Sequence, residues 1–83
     1  MTPQETLPLI IATLTEIMPE RAEQWRTITP ESTLTQLALD SLATMELVGA
    51  LEDETGHEFE DEDLAKVRTV QDLITLAGSG SLQ

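Results

Sequence analysis

The chain has 83 residues, with sixteen acids against four bases for a net charge of −12, and no cysteine. This length is one domain around one small core. The lack of cysteine excludes disulfides, thiolate metal sites and a cysteine nucleophile, so any thiol chemistry must use a thiol that the chain does not encode. No Lys or Arg occurs between Arg26 and Lys66, a stretch that holds eleven acids; this argues against nucleic acid and anionic membranes, which are held through Lys and Arg, and suits partners with basic surfaces.

The longest apolar run, Leu9-Ile10-Ile11-Ala12, is far too short to span a bilayer. The N-terminus lacks the basic-then-apolar pattern of a secretory signal. A cytoplasmic monomer is expected.

Apolar and polar residues nowhere alternate for long, and the only aromatics are Trp25 and Phe59, so the expected class is all-α. Leu7, Ile10, Ile11, Leu14, Ile17 and Met18 follow helical spacing. Thr2-Pro3-Gln4-Glu5 reads as a capping box with proline at the first helical position. Pro8 would remove a backbone hydrogen bond, which predicts a kink there or a start only near Thr6, and Pro19 ends the helix. The 21 residues from Pro19 to Leu39 exceed the roughly 12–15 usual for an unstructured loop. They need packing of their own, with Trp25, Ile28, Leu34 and Leu37 as anchors and a short helix over Pro19–Trp25.

A second helix opens at Asp40, a strong N-cap, and runs to about Thr55, with Gly56 as its stop. The acidic segment from Glu60 to Val67 makes one or two turns. Thr69-Val70-Gln71-Asp72 opens a last helix with Leu73, Ile74, Leu76 and Ala77 inside and Gly78 at its end. The domain is thus expected over 1–77, with a flexible tail over 78–83.

At about 100° per residue, Thr44, Leu47, Val48, Leu51 and Thr55 share one side of the second helix, the natural core stripe. Leu42, Met45, Glu46, Gly49, Glu52 and Asp53 share the other. A helix that serves only to fold has no need of Leu42 and Met45 among acids on its wet side. They read as a small docking surface, with Gly49 leaving a dent, although isolated exposed apolar residues are common. Ser41 lies in the first turn, where unpaired N–H groups and the helix dipole favour a phosphate. Taken alone, a serine there is usually just a good first-turn residue.

The context of that serine is specific. The segment Leu34-x-x-Leu37-x-Leu39-Asp40-Ser41-Leu42-Ala43-Thr44-Met45-Glu46-Leu47-Val48 resembles the phosphopantetheine attachment segment of acyl carrier proteins. The likeness continues from Ala50 to Phe59, over Asp61–Leu64 and over Lys66–Leu73, about half the chain in one register. It implies a small four-helix bundle with a short third helix, and a non-enzymatic function: a discrete carrier of acyl intermediates for polyketide or fatty-acid-type biosynthesis. The implied cofactor is 4′-phosphopantetheine, transferred from coenzyme A to Ser41 by a phosphopantetheinyl transferase, with a terminal thiol that holds acyl groups as thioesters. The second helix is the family's recognition element, which carries by position to Asp40, Leu42, Met45, Glu46, Glu52 and Asp53. An acyltransferase, a ketosynthase or other pathway enzymes would meet it with basic patches.

Four positions depart from the family's common pattern. Gly49 stands where many fatty-acid carriers have a larger apolar residue, Thr55 where a core aromatic is frequent, His57 where an aliphatic is, and Ala43 where an acid or polar residue follows the Leu. These lean toward a specialised polyketide or related pathway, and Thr55 hints at a less filled interior. An aminoacyl or peptidyl carrier is an alternative, although such proteins more often show a Gly-Gly-x-Ser segment. An acidic calcium-binding or regulatory module is another, but Glu60-Asp61-Glu62-Asp63 lacks the spacing of a calcium loop, and no dedicated metal site is expected. A Ser41–His57 catalytic pair would need hydrogen-bond reach, whereas His57 lies beyond the helix stop.

Overall fold

The computed structural model of the chain describes residues 2–79. Among the described residues the α-helices in chain order are α1 (Pro3–Ile17), α2 (Ala22–Trp25, entered from a 3-10 turn over Pro19–Arg21), α3 (Leu34–Leu37), α4 (Ser41–Thr55), α5 (Asp61–Leu64) and α6 (Val70–Ser79). Three long helices and the short α5 form the expected bundle; α2 and α3 are single turns inside the long connection. Among the described residues the only extended pairing is one antiparallel bridge, Thr33 to Thr69.

Each end of α4 has a local cause. Asp40, with extended backbone (φ −80°, ψ 176°), accepts the Ala43 N–H on Oδ1 at 2.7 Å. This satisfies one of the donors that a helix start leaves unpaired. At the other end Gly56 takes the left-handed φ of 73° and returns its N–H to the Glu52 carbonyl at 2.9 Å, a conformation that glycine enters without steric penalty.

Helix α1 departs from expectation at three points. It runs unbroken through Pro8. The carbonyl that loses a donor to the ring is that of Gln4, in the first turn, and both residues are exposed, so water can take the vacant acceptor. The Thr2–Glu5 capping box does not form: Thr2 makes no side-chain cap, and its carbonyl instead accepts the Glu5 and Thr6 amides and the Thr6 hydroxyl. The inward stripe is also rotated from the one the apolar residues mark, because Thr6 and Thr13 are buried with Ile10 and Leu14 while Ile11 and Ile17 are half-buried. Thr6 tolerates full burial because its hydroxyl is bonded within the helix.

At the other terminus α6 passes through Gly78 to Ser79 rather than ending at the glycine, and the Ser79 hydroxyl donates to the Thr75 carbonyl. Glycine in a helix costs only about 1 kcal/mol against alanine, too little to stop it without a left-handed turn. Of the expected tail, residues 80–83 lie outside the described residues.

The connection from residue 19 to 39 is held by both packing and hydrogen bonds. Trp25, Ile28 and Leu37 are buried, and Leu34 packs against the same core. The Trp25 indole N–H donates to the Met18 carbonyl at 3.1 Å. Helix α3 opens on a complete capping box between Thr33 and Gln36. The strand-like stretch before it is tied to the start of α6, with Val70 N to Ser32 O, Gln71 N to Pro30 O and Leu34 N to Arg68 O each at 2.9 Å. The α6 start is capped in turn by the Asp72 carboxylate, which accepts the Arg68 and Thr69 amides.

Helix α4 packs against α1 and α6 through Ala43, Leu47, Val48 and Leu51. The stripe therefore begins at Ala43, one residue earlier than the projection placed it. Thr44 and Thr55, expected inside, are half-buried and turn their hydroxyls to the carbonyls of Asp40 and Leu51. The aromatic bulk of the core comes from Trp25 and Phe59. Leu47→Ala should cost about 2–5 kcal/mol in chemical denaturation. Met45→Ala, on the exposed side, should stay within about 0.5 kcal/mol; the reverse order would mean that the two faces of α4 are assigned the wrong way round.

Candidate functional site

Ser41 is the first residue of α4 and is exposed. It follows directly on the residue that caps the helix, so its position is fixed by the Asp40–Ala43 bond and by the Thr44 amide and hydroxyl, which both reach the Asp40 carbonyl. Beside it a groove of about 220 Å³ is lined by Ile17, Met18, Asp40, Leu42, Ala43 and Glu46, between the end of α1 and the start of α4.

The face of α4 opposite the core stripe carries the residues that the sequence marks for docking. Leu42 is 69 % and Met45 61 % exposed, the two large apolar side chains left in water among the described residues. Asp40, Glu46 and Asp53 are exposed with them. Gly49 is half-buried, and a Cβ added there meets nothing from the rest of the protein within 4 Å, so the dent is open space rather than a close approach. Glu52 is different. It is half-buried, and its Oε2 accepts the Phe59 N–H at 2.7 Å, a charge-assisted bond that ties the end of α4 to the loop entering α5. Glu52 thus has a structural task besides any role at the surface. The last turn of α4 carries Glu52, Asp53 and Glu54 and no basic residue.

The structure keeps other groups apart. His57 is exposed beyond the C-cap, the length of α4 away from Ser41, about 22 Å at 1.5 Å per residue. Among the described residues no three His, Cys, Asp or Glu side chains converge as metal ligands. In the acidic segment Glu60, Asp61 and Glu62 are exposed while Asp63 is buried. No helix among the described residues is long and apolar enough to cross a membrane.

The approach to Ser41 holds two features that the sequence reading missed. Ala38 has left-handed dihedrals (φ 53°, ψ 45°), the only non-glycine residue with positive φ among those described. Arg21 reaches it from the far side of the connection, donating to the Leu37 and Ala38 carbonyls. No sequence periodicity links an arginine to carbonyls sixteen and seventeen residues on. The Thr33–Gln36 box was legible as a Thr-x-x-Gln pattern and marks the turn that leads here.

The serine is thus exposed behind an aspartate cap, at the head of a helix with a wet apolar strip. The family model described as the phosphopantetheine attachment site matches residues 9–77. The fold is similar to the crystal structure of an acyl carrier protein from Thermotoga maritima, with 31 % identity, coverage of 93 % of this chain and 87 % of that one, and a TM-score of 0.77. The chain belongs to the acyl carrier protein family of phosphopantetheine-binding carriers. It is a carrier and not an enzyme. The family's domain bears covalently attached 4′-phosphopantetheine, and its partners include a phosphopantetheinyl transferase and biosynthetic enzymes.

The Glu52 contact generates a test. Glu52→Ala should lower stability by about 1.5–3 kcal/mol in denaturant titrations, the range for a lost hydrogen bond to a charged group. Asp53→Ala, on the same turn but exposed, should change it by less than about 0.5 kcal/mol.

Proposed function

We propose that Ser41 is the residue that receives the phosphopantetheine arm, and that the chain carries acyl intermediates between enzymes of a polyketide or fatty-acid-type pathway. The observation that carries the reading is the exposure of Ser41 at the first position of α4, one residue after the Asp40 cap. A phosphate esterified there meets the positive end of a fifteen-residue helix, and the groove lined by Ile17, Met18 and Leu42 leaves the arm an apolar wall to lie on. The arm supplies the terminal thiol that the cysteine-free chain lacks and holds acyl groups as thioesters. Gly49 and Thr55, where fatty-acid carriers often have larger residues, favour the polyketide side of this reading. A cytoplasmic setting belongs to it, since a reducing compartment keeps that thiol free.

In this reading Asp40, Leu42, Met45, Glu46, Gly49, Glu52 and Asp53 meet basic patches on an acyltransferase, a ketosynthase or related enzymes. The acids govern encounter rate and salt sensitivity, and Leu42 and Met45 act as anchors. Incubation with coenzyme A and a broad-specificity phosphopantetheinyl transferase should add one arm, seen by intact mass spectrometry, and Ser41→Ala should abolish the gain while leaving the helical spectrum unchanged. A Ser41→Ala protein that is still modified would move the site elsewhere. Intact mass of protein from its native host separates an acyl cargo from an aminoacyl one.

Gly49→Leu separates recognition from folding. A Cβ at Gly49 meets nothing from the rest of the protein within 4 Å, and helix propensity rises by up to about 1 kcal/mol. Transfer to a partner that fits into the dent should nevertheless fall. Unchanged transfer rates across several partner enzymes would remove Gly49 from the docking surface.

A further inference from the structure

The segment that delivers the chain to Ser41 is held in a conformation that one of its residues does not prefer. Ala38 is left-handed, a region where Cβ crowds the following carbonyl and which glycine usually fills. Asp40 then needs its extended backbone to cap α4. A return of Ala38 to ordinary dihedrals would turn the chain after it, withdrawing Asp40 from the Ala43 amide and re-aiming Ser41.

Arg21 stands against that return. Its guanidinium donates to the Leu37 carbonyl and, at 3.5 Å, to the Ala38 carbonyl. Those carbonyls belong to the two peptide planes on either side of the Ala38 Cα. Because each plane is rigid, holding both fixes φ and ψ of Ala38 together. The guanidinium is itself anchored, with Nε bonded to Gln24 Oε1 at 2.9 Å and the carbon stacked 4.4 Å from the centroid of the Trp25 ring. Trp25 is fully buried and bonded to the end of α1, so the clamp is referenced to the core. These partners are all neutral, so the clamp is built without an ion pair. A planar fork can stack on the ring while its rigidly placed donors reach both carbonyls; a lysine ammonium has donors enough but no plane to stack and no fixed fork.

We propose that Arg21 is a positioning residue for arm attachment: by bracketing Ala38 it holds Asp40 and Ser41 in the geometry that the transferase takes. This rests on Ser41 being the attachment point. If the clamp is released, only a fraction of the molecules present Ser41 correctly, and the apparent affinity falls by that fraction while turnover of the bound complex does not.

The test uses the full unmodified chain, its Arg21→Gln, Arg21→Lys and Ala38→Gly variants, and the Arg21→Gln/Ala38→Gly double variant. Steady-state loading by a broad-specificity transferase is measured alongside native-state exchange of the Ala43 and Thr44 amides, the two that bond to Asp40. Arg21→Gln should raise the KM for the carrier about 3–10-fold with kcat within about two-fold, the signature of a reduced competent population. Exchange at Ala43 and Thr44 should quicken while Leu47 and Leu51 keep their protection. Arg21→Lys should move the same way. Ala38→Gly, which enters the left-handed region unaided, should restore at least half of the loss on a logarithmic scale in the double variant. An Arg21→Gln protein with a lower melting temperature but wild-type KM and exchange overturns the proposal, as does a double variant whose effects simply add. If Arg21→Gln does not fold, Arg21→Lys with and without Ala38→Gly makes the same comparison. A wild type that never loads overturns the attachment reading instead, and the exchange arm still decides on the clamp.

Discussion

Helix α4 is apolar on two sides but has a core to face on only one. Ala43, Leu47, Val48 and Leu51 fill the space against α1 and α6, and that burial sets the rotation of the helix about its axis. With the rotation set, Leu42 and Met45 have nowhere to go but outward, and Ser41 is turned to solvent. The exposed apolar strip is therefore the remainder of a packing solution rather than a separate element. Because the strip and the core stripe lie on opposite sides of the helix, any rotation that buried the one would expose the other.

The long connection between α1 and α4 carries the second half of the arrangement. Such a segment must satisfy its own backbone groups, and it does so with an indole, a capping box and three ties to the start of α6. Those ties join residues 30–34 to residues 68–71, so the excursion through α3, α4 and α5 is closed at its base. The short stretch between α3 and α4 is outside those ties and is held instead where Arg21 meets the Leu37 and Ala38 carbonyls.

What could be read from the residues and what could not follow from the range of the interactions. Asp40, Gly56 and the Thr69–Asp72 cap act on amides and carbonyls within four residues, so the boundaries of α4 and the start of α6 are visible locally. Trp25, Ile28 and Leu37 are visible as anchors because apolar bulk in a polar stretch needs a place to go. The helix does not wait for Thr6 to begin, because the penalty of Pro8 falls in the second turn, where the orphaned carbonyl belongs to an exposed residue. The stripe of α1 was misjudged because Thr6 counts as polar until its intrahelical bond is seen. Arg21 and Ala38 were illegible: alanine is the strongest helix former, and nothing in its identity announces a left-handed bend imposed from across the fold. At the candidate site, the strip of Leu42 and Met45 was legible from periodicity, whereas the tether from Glu52 to Phe59 depends on where the loop returns.

The last turn of α4 sets three carboxylates at the negative end of its own macrodipole, with no base to offset them. Each such placement works against the helix by about 0.3–1 kcal/mol at low ionic strength. The charges that would draw a basic partner are thus the same charges that strain the isolated molecule. Anything that neutralises them relieves the helix end, and by linkage whatever binds the folded form alone raises its stability. The free chain thus leaves the charge at this helix end uncompensated, apart from the one bond that Glu52 makes to the Phe59 amide.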